Sequence, residues 1–184
     1  MTHYSPQCLF VAASISLLCT TGPRAEAAPL AFKTEVEADS PLAYWRLGEL
    51  PPTSTAADAT GNGFDGTYSA SGLTLEQPGV LGGDTAVQFD GTGPGSVTVP
   101  HSAGLNVTQL TMESVIRWDG GNGTQQRIIE KSTEPGSTRP VFSLQIFEDS
   151  HGRVELGFLD IENEVIELDS LGTITVGAPT HLAA

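Results

Sequence analysis

Two groups of oxygen-bearing side chains have the types and spacing for chemistry. Asp58, Asn62 and Asp65 fall within one glycine-rich stretch, Asp58-Ala-Thr-Gly-Asn-Gly-Phe-Asp-Gly66. Hard cations such as calcium take oxygen ligands from Asp, Asn and loop carbonyls, so these three residues are calcium candidates. The loop does not follow the EF-hand pattern, which alternates its ligands and closes on a Glu at position twelve. The same residue types also serve turn geometry with no ion, the glycines and Asn62 supplying positive-φ positions. Asp90 reads as a turn residue in the same way. The second group is Glu162, Glu164 and Glu167. Glycoside hydrolysis needs two carboxylates, about 5–5.5 Å apart for retention or about 6.5–9.5 Å for inversion. These glutamates adjoin an apolar run, where acids also commonly form a solvated face. His101, His151 and His181 sit in turns or near the last residues, without a G-x-S-x-G nucleophile pattern. Neither paired histidines nor cysteines at zinc-ligand spacing are present.

The charge balance narrows the partners. With 8 basic and 22 acidic residues the formal net charge is −14. A phosphate backbone needs a basic surface, so nucleic acid is excluded, and anionic membrane surfaces are disfavoured on the same ground. Neutral glycans, cations or plain solubility remain compatible. Cys8 to Thr20 is an apolar run followed by Ala25-Glu-Ala27, which reads as a secretory signal over residues 1–28, cut after Ala27 or Ala28. The run is shorter than the roughly 20 apolar residues of a membrane span, and no later segment is long enough. The expected location is secreted or extracellular. Both cysteines, Cys8 and Cys19, lie in that signal, so the remainder relies on its core, on bound metal or on neighbouring domains.

Residues 29–39 form a short acidic lead-in, and residues 40–184 have the length of one domain. The elements that must position the two groups are strands. From Thr85 to Trp118, apolar runs alternate with polar residues at a period of two; Leu110, Met112, Ile116 and Trp118 share one side, and Thr111, Glu113 and Arg117 the other. That is the pattern of half-buried antiparallel strands. Further strands are expected at Leu42–Leu47, Thr67–Tyr68, Leu73–Leu75, Gln125–Lys131, Val141–Phe147, Arg153–Leu159 and Glu164–Leu168. Asp119-Gly-Gly-Asn-Gly123 reads as a hairpin turn. No amphipathic helix and no internal repeat is expected. Trp45 and Trp118 read as core. Tyr44 and Tyr68 complete the aromatics available to a glycan, and the ligand-binding residues stay unassigned.

An ordered series then carries a resemblance. Tyr44-Trp-Arg-Leu-Gly-Glu49, Asp58-Ala-Thr-Gly-Asn-Gly through Asp65-Gly-Thr-Tyr68, Gly82-Gly-Asp-Thr-Ala-Val-Gln-Phe-Asp-Gly91, Ser96-Val-Thr-Val and Leu110-Thr-Met-Glu through Trp118 occur in that order. The series closely resembles the laminin-G-like, concanavalin A-like jelly-roll domain of secreted, chiefly bacterial proteins, over about residues 40–184. The resemblance implies an all-β, two-sheet antiparallel β-sandwich. It also makes calcium at the sandwich rim plausible. In that family the segment resembling Thr180–Ala184 continues into further strands, so the resemblance implies a domain incomplete at its C-terminus. The laminarinase-type relatives carry Glu-x-Asp-x-x-Glu on one strand; Glu162-Asn-Glu-Val-Ile-Glu167 matches that spacing with Glu164 where Asp belongs. Glu167-Leu-Asp169 matches the first half only, with Gly172 in the closing position. The sequons at Asn106 and Asn122 matter only in a eukaryotic secretory pathway. The expected function is a secreted, non-catalytic module binding extracellular carbohydrate or protein, with or without calcium. The alternatives are a glycoside hydrolase using Glu162, Glu164 and Glu167, or a spacer domain without ligand.

Overall fold

The computed structural model describes residues 7–11, 28–80, 83–91, 93–121, 123–132, 140–147, 151–160, 162 and 164–184. In chain order the elements are β1 Gln7–Val11, α1 Ala28–Ala38, β2 Ala43–Trp45, β3 Thr55–Ala56, β4 Gly66–Tyr68, β5 Leu73–Pro78, β6 Thr85–Phe89, β7 Val97–Thr98, a short 3-10 turn Ala103–Leu105, β8 Leu110–Arg117, β9 Gln126–Ser132, β10 Pro140–Ile146, β11 Arg153–Leu159, β12 Val165–Thr173 and β13 Pro179–Ala183. The fold class is the all-β sandwich type that the period-two alternation predicts, with its strands in several sheets whose pairings are antiparallel except those of β1. By contact the chain divides into two compact units, Met1–Ile116 and Arg117–Leu182, with Ala183 and Ala184 apportioned one to each.

In the first unit, β8, β1 and β2 lie side by side in that order. β1 falls inside residues 1–28, read as a secretory signal, and runs parallel to both neighbours, Leu9 opposite Ala43 on one side and Met112 on the other. Residues 12–27, which complete that reading, lie outside the described residues. β3, β4 and β7 form a second, antiparallel sheet, and β5 pairs with β6. Ala43, Tyr44, Trp45 and Met112 are buried, so β2 is covered on both faces.

Two expectations are corrected. No amphipathic helix is expected from the sequence, yet most of the acidic lead-in belongs to α1. Its alanines, Leu30, Lys33, Glu35 and Glu37 favour helix, Lys33 and Glu37 pair one turn apart at 3.0 Å, and Phe32 and Val36 share a face that packs on Tyr44 and Ala59. Among the described residues the turn after Trp118 does not join a hairpin, because β8 and β9 lie in different sheets. Asn122 within it lies outside the described residues.

The second unit is built on one antiparallel sheet, in the order β12, β11, β10, β9. Phe142, Leu144 and Ile146 on β10 project to one face and are buried. They stand opposite Phe158, Leu156 and Val154 on β11, an apolar ladder worth about 2 kcal/mol for each fully buried side chain. Trp118 anchors the approach to this unit. Its indole N–H donates to Gln126 Oε1 at 2.6 Å, and its carbonyl accepts from Gly177 N at 2.7 Å. Gly152 (φ +76°) sits against it, and a Cβ there would lie 2.7 Å from Trp118 Cζ3 and 2.8 Å from the Ile174 carbonyl. Only glycine fits that contact and that φ together.

Candidate functional site

The Asp58 loop is a hydrogen-bonded turn. Asp58 is buried. Its Oδ1 accepts from Tyr44 N at 3.1 Å, Thr60 N at 3.1 Å and Thr60 Oγ1 at 2.7 Å, and its Oδ2 accepts from Phe64 N at 3.2 Å. Asp65 Oδ1 accepts from Asp58 N at 2.8 Å. Asn62 turns its amide away, Nδ2 donating to the Leu42 carbonyl at 3.0 Å. Phe64 O in turn accepts the Trp45 indole N–H at 2.7 Å. Donors thus converge where a cation would need free lone pairs. Among the described residues, no three His, Cys, Asp or Glu side chains are grouped to hold a metal ion. The structure brings Asp58 and Asp65 together as turn supports and leaves Asn62 outside that pair.

The three glutamates do not share one strand face. Glu162 and Glu164 lie in the turn before β12, where Glu164 N donates to Asp160 Oδ1 at 2.8 Å. Of the three, Glu167 alone is on the strand, opposite Gly157. All are exposed, as are His101, His151 and His181. The aromatics are inside: Tyr44, Trp45, Tyr68 and Trp118 are all buried. The Tyr68 hydroxyl donates to Glu49 Oε2 at 2.5 Å, while Glu49 Oε1 accepts from Ala57 N at 2.9 Å. Burial, then the Glu49 carboxylate, pushes the Tyr68 phenol well above its ordinary value.

The residues that do converge were not singled out by sequence. The face of the β9–β12 sheet opposite Phe142, Leu144 and Ile146 carries a polar groove of 190 Å³. Arg127 and Glu130 line it from β9, Ser143 and Gln145 from β10, Glu155 and Gly157 from β11, and Val165 and Glu167 from β12. Ser143, Gln145 and Glu155 are nearly inaccessible, at 2%, 6% and 2% exposure. Strand register explains the grouping: Gln145 is opposite Glu155, and Ser143 is opposite Gly157, so all four point to one face. Gln145 Nε2 donates to Glu155 Oε1. Arg127 Nε pairs with Glu130 Oε2 at 2.5 Å. Gly157 leaves the floor open, since a Cβ there would lie 2.7 Å from the Ser143 hydroxyl.

Burial is the first cause that raises the Glu155 carboxyl above the usual glutamate range. The Gln145 hydrogen bond and Arg153 pull it back, while the neighbouring Glu167 and Asp169 add to the rise. Asp169 is itself held by Arg153, Oδ2 lying 3.1 Å from Nη1. The groove therefore presents hydroxyl, amide, guanidinium and carboxyl groups within one small depression.

No protein-family model, curated protein or solved structure matches this chain. One sequence signal could have hinted at the groove, a glycine in mid-strand at position 157, which often marks a close approach of ligand or backbone.

Proposed function

We propose that this chain is a secreted, non-catalytic binding module of the laminin-G-like kind, and that its ligand is an extracellular carbohydrate seated in the β9–β12 groove. The polar groove is the observation that carries this reading. Sugar hydroxyls donate and accept, and so do the Ser143 hydroxyl and the Gln145 amide, while Arg127 donates and the carboxylates accept. At 190 Å³ the depression is smaller than the about 300–1,000 Å³ of enclosing small-molecule pockets. That size suits one residue of an extended glycan left largely in solvent. The net charge of −14 favours a neutral glycan over a sulfated or uronic one, because like charges repel. The reading needs no calcium. Secretion is supported by the apolar run from Cys8 and the small residues Ala25 and Ala27.

The test is calorimetric titration of neutral oligosaccharides into the intact chain, alongside Gln145→Ala and Ser143→Ala. Saturable binding weakened about tenfold by Gln145→Ala, the loss expected for about 1.4 kcal/mol of hydrogen bonding, supports the reading. Binding unchanged in both variants removes the groove as the site. Release of shorter sugars during the titration removes the non-catalytic half.

A further inference from the structure

The two outer strands of the β9–β12 sheet are finished differently. β9 carries Arg127 and Lys131, and its pairing with β10 is interrupted by register shifts. Such charges and bulges are how an edge is blunted against further pairing. β12 has neither Lys nor Arg nor Pro over its nine residues, and its register from Val165 to Asp169 is unbroken, the shift in its pairing with β11 lying beyond that stretch, between Asp169 and Thr173.

The apolar ladder also does not stop at β12. Along one row Leu144, Leu156 and Leu168 stand opposite one another, and along the next Phe142, Phe158 and Ile166. Exposure climbs outward, from 1% at Leu144 to 55% at Leu168, and from 5% at Phe142 to 36% at Ile166. At the β12 end, among the described residues, no polar side chain terminates either row. The other face of β12 is acidic, with exposed Glu167 and Asp169 there and Glu162 and Glu164 in the adjoining turn. The backbone has the matching polarity. Asp160 N bonds to Glu164 O, and ladder bonds alternate along an antiparallel pair. Val165, Glu167 and Asp169 therefore turn their N–H and C=O groups to the side on which, among the described residues, no strand pairs with β12.

We infer that the β12 edge is a strand-addition site for a β-strand that alternates basic and apolar residues. Its apolar side chains would extend the Leu168 and Ile166 rows, and its Lys or Arg side chains would face Glu167 and Asp169. A second copy is the poorer occupant, because β12 against β12 sets carboxylates against carboxylates.

The probe is a labelled, end-capped Lys-Val-Lys-Val-Lys-Val-Lys peptide, with the Glu-Val counterpart as control, titrated by fluorescence anisotropy against the intact chain. Saturable binding of the basic peptide alone is expected, with hydrogen-exchange protection gained at Val165, Glu167 and Asp169. Ile166→Lys combined with Leu168→Lys should weaken it at least tenfold. Should that variant unfold, Glu167→Lys with Asp169→Lys decides by exchanging which peptide binds. Equal binding of both peptides, no binding, or a β12-dependent dimer in sedimentation overturns the inference.

Discussion

Glu155 is the residue where burial and charge are most opposed. Its carboxyl is raised above the ordinary glutamate value of about 4.3, chiefly by burial, so the native state holds this proton more tightly than the unfolded chain. The sign follows from linkage: the stability owed to that proton is complete below the unfolded value and is lost as pH rises through the native one. Above both, the buried charge is a cost. Glu155→Gln keeps an oxygen for Gln145 and removes the charge. The variant should melt a few degrees above the parent at pH 7, a shift that corresponds to about 1 kcal/mol in a domain this size. The gap should close as pH falls toward 4 in parallel melting curves. Asp58 shows the opposite economy, a carboxylate satisfied by four donors. Asp58→Ala strands the N–H groups of Tyr44 and Phe64, at about 1–3 kcal/mol each. A loss near 3 kcal/mol in urea unfolding is expected. Calcium and EDTA should give the parent the same melting temperature. A native-state ligand at a hundred times its Kd would add about 2.7 kcal/mol, so a calcium-dependent rise would return Asp58 and Asp65 to a metal site.

At the scale of elements, legibility followed periodicity. β11 was readable to the residue because Val154, Leu156 and Phe158 alternate with Arg153, Glu155 and Gly157. α1 was not, because its two acidic residues obscure a face of only Phe32 and Val36, and that face acquires meaning only against Tyr44. The groove was hidden for a related reason. Ser143, Gln145 and Glu155 look like the wet side of two strands, and their burial comes from register across β9–β12, which no local pattern encodes. The calcium and glutamate candidates, by contrast, were legible as residue types but not as geometry: Asp58 is saturated with donors, and Glu162 and Glu164 sit in a turn. Gly157→Ala tests the groove at this scale. The added methyl meets the Ser143 hydroxyl at 2.7 Å, while alanine is otherwise no worse than glycine in a strand. Thermal stability should change little and oligosaccharide affinity should fall about tenfold, worth about 1.4 kcal/mol. An affinity equal to the parent's would place the ligand elsewhere.

The whole molecule carries a formal charge of −14 and a sequence pI near 4.4, and that field distinguishes the two surfaces proposed here. Hydrogen bonds to a neutral sugar gain nothing from the net charge. A lysine-bearing strand approaching β12 is drawn by Glu164, Glu167 and the surplus of acid around them. Those side chains are exposed, so salt screens them, the Debye length shrinking from about 20 Å near 20 mM to about 4–5 Å near 500 mM. Raising salt across that range should leave the oligosaccharide Kd within about twofold and weaken the basic peptide by about tenfold or more, mainly through slower association. Parallel titrations at the two salt concentrations measure both. Equal salt dependence at both surfaces would mean that the groove recognises a charged ligand or that the strand edge works by apolar contact alone, and the charge arm of either proposal would fall.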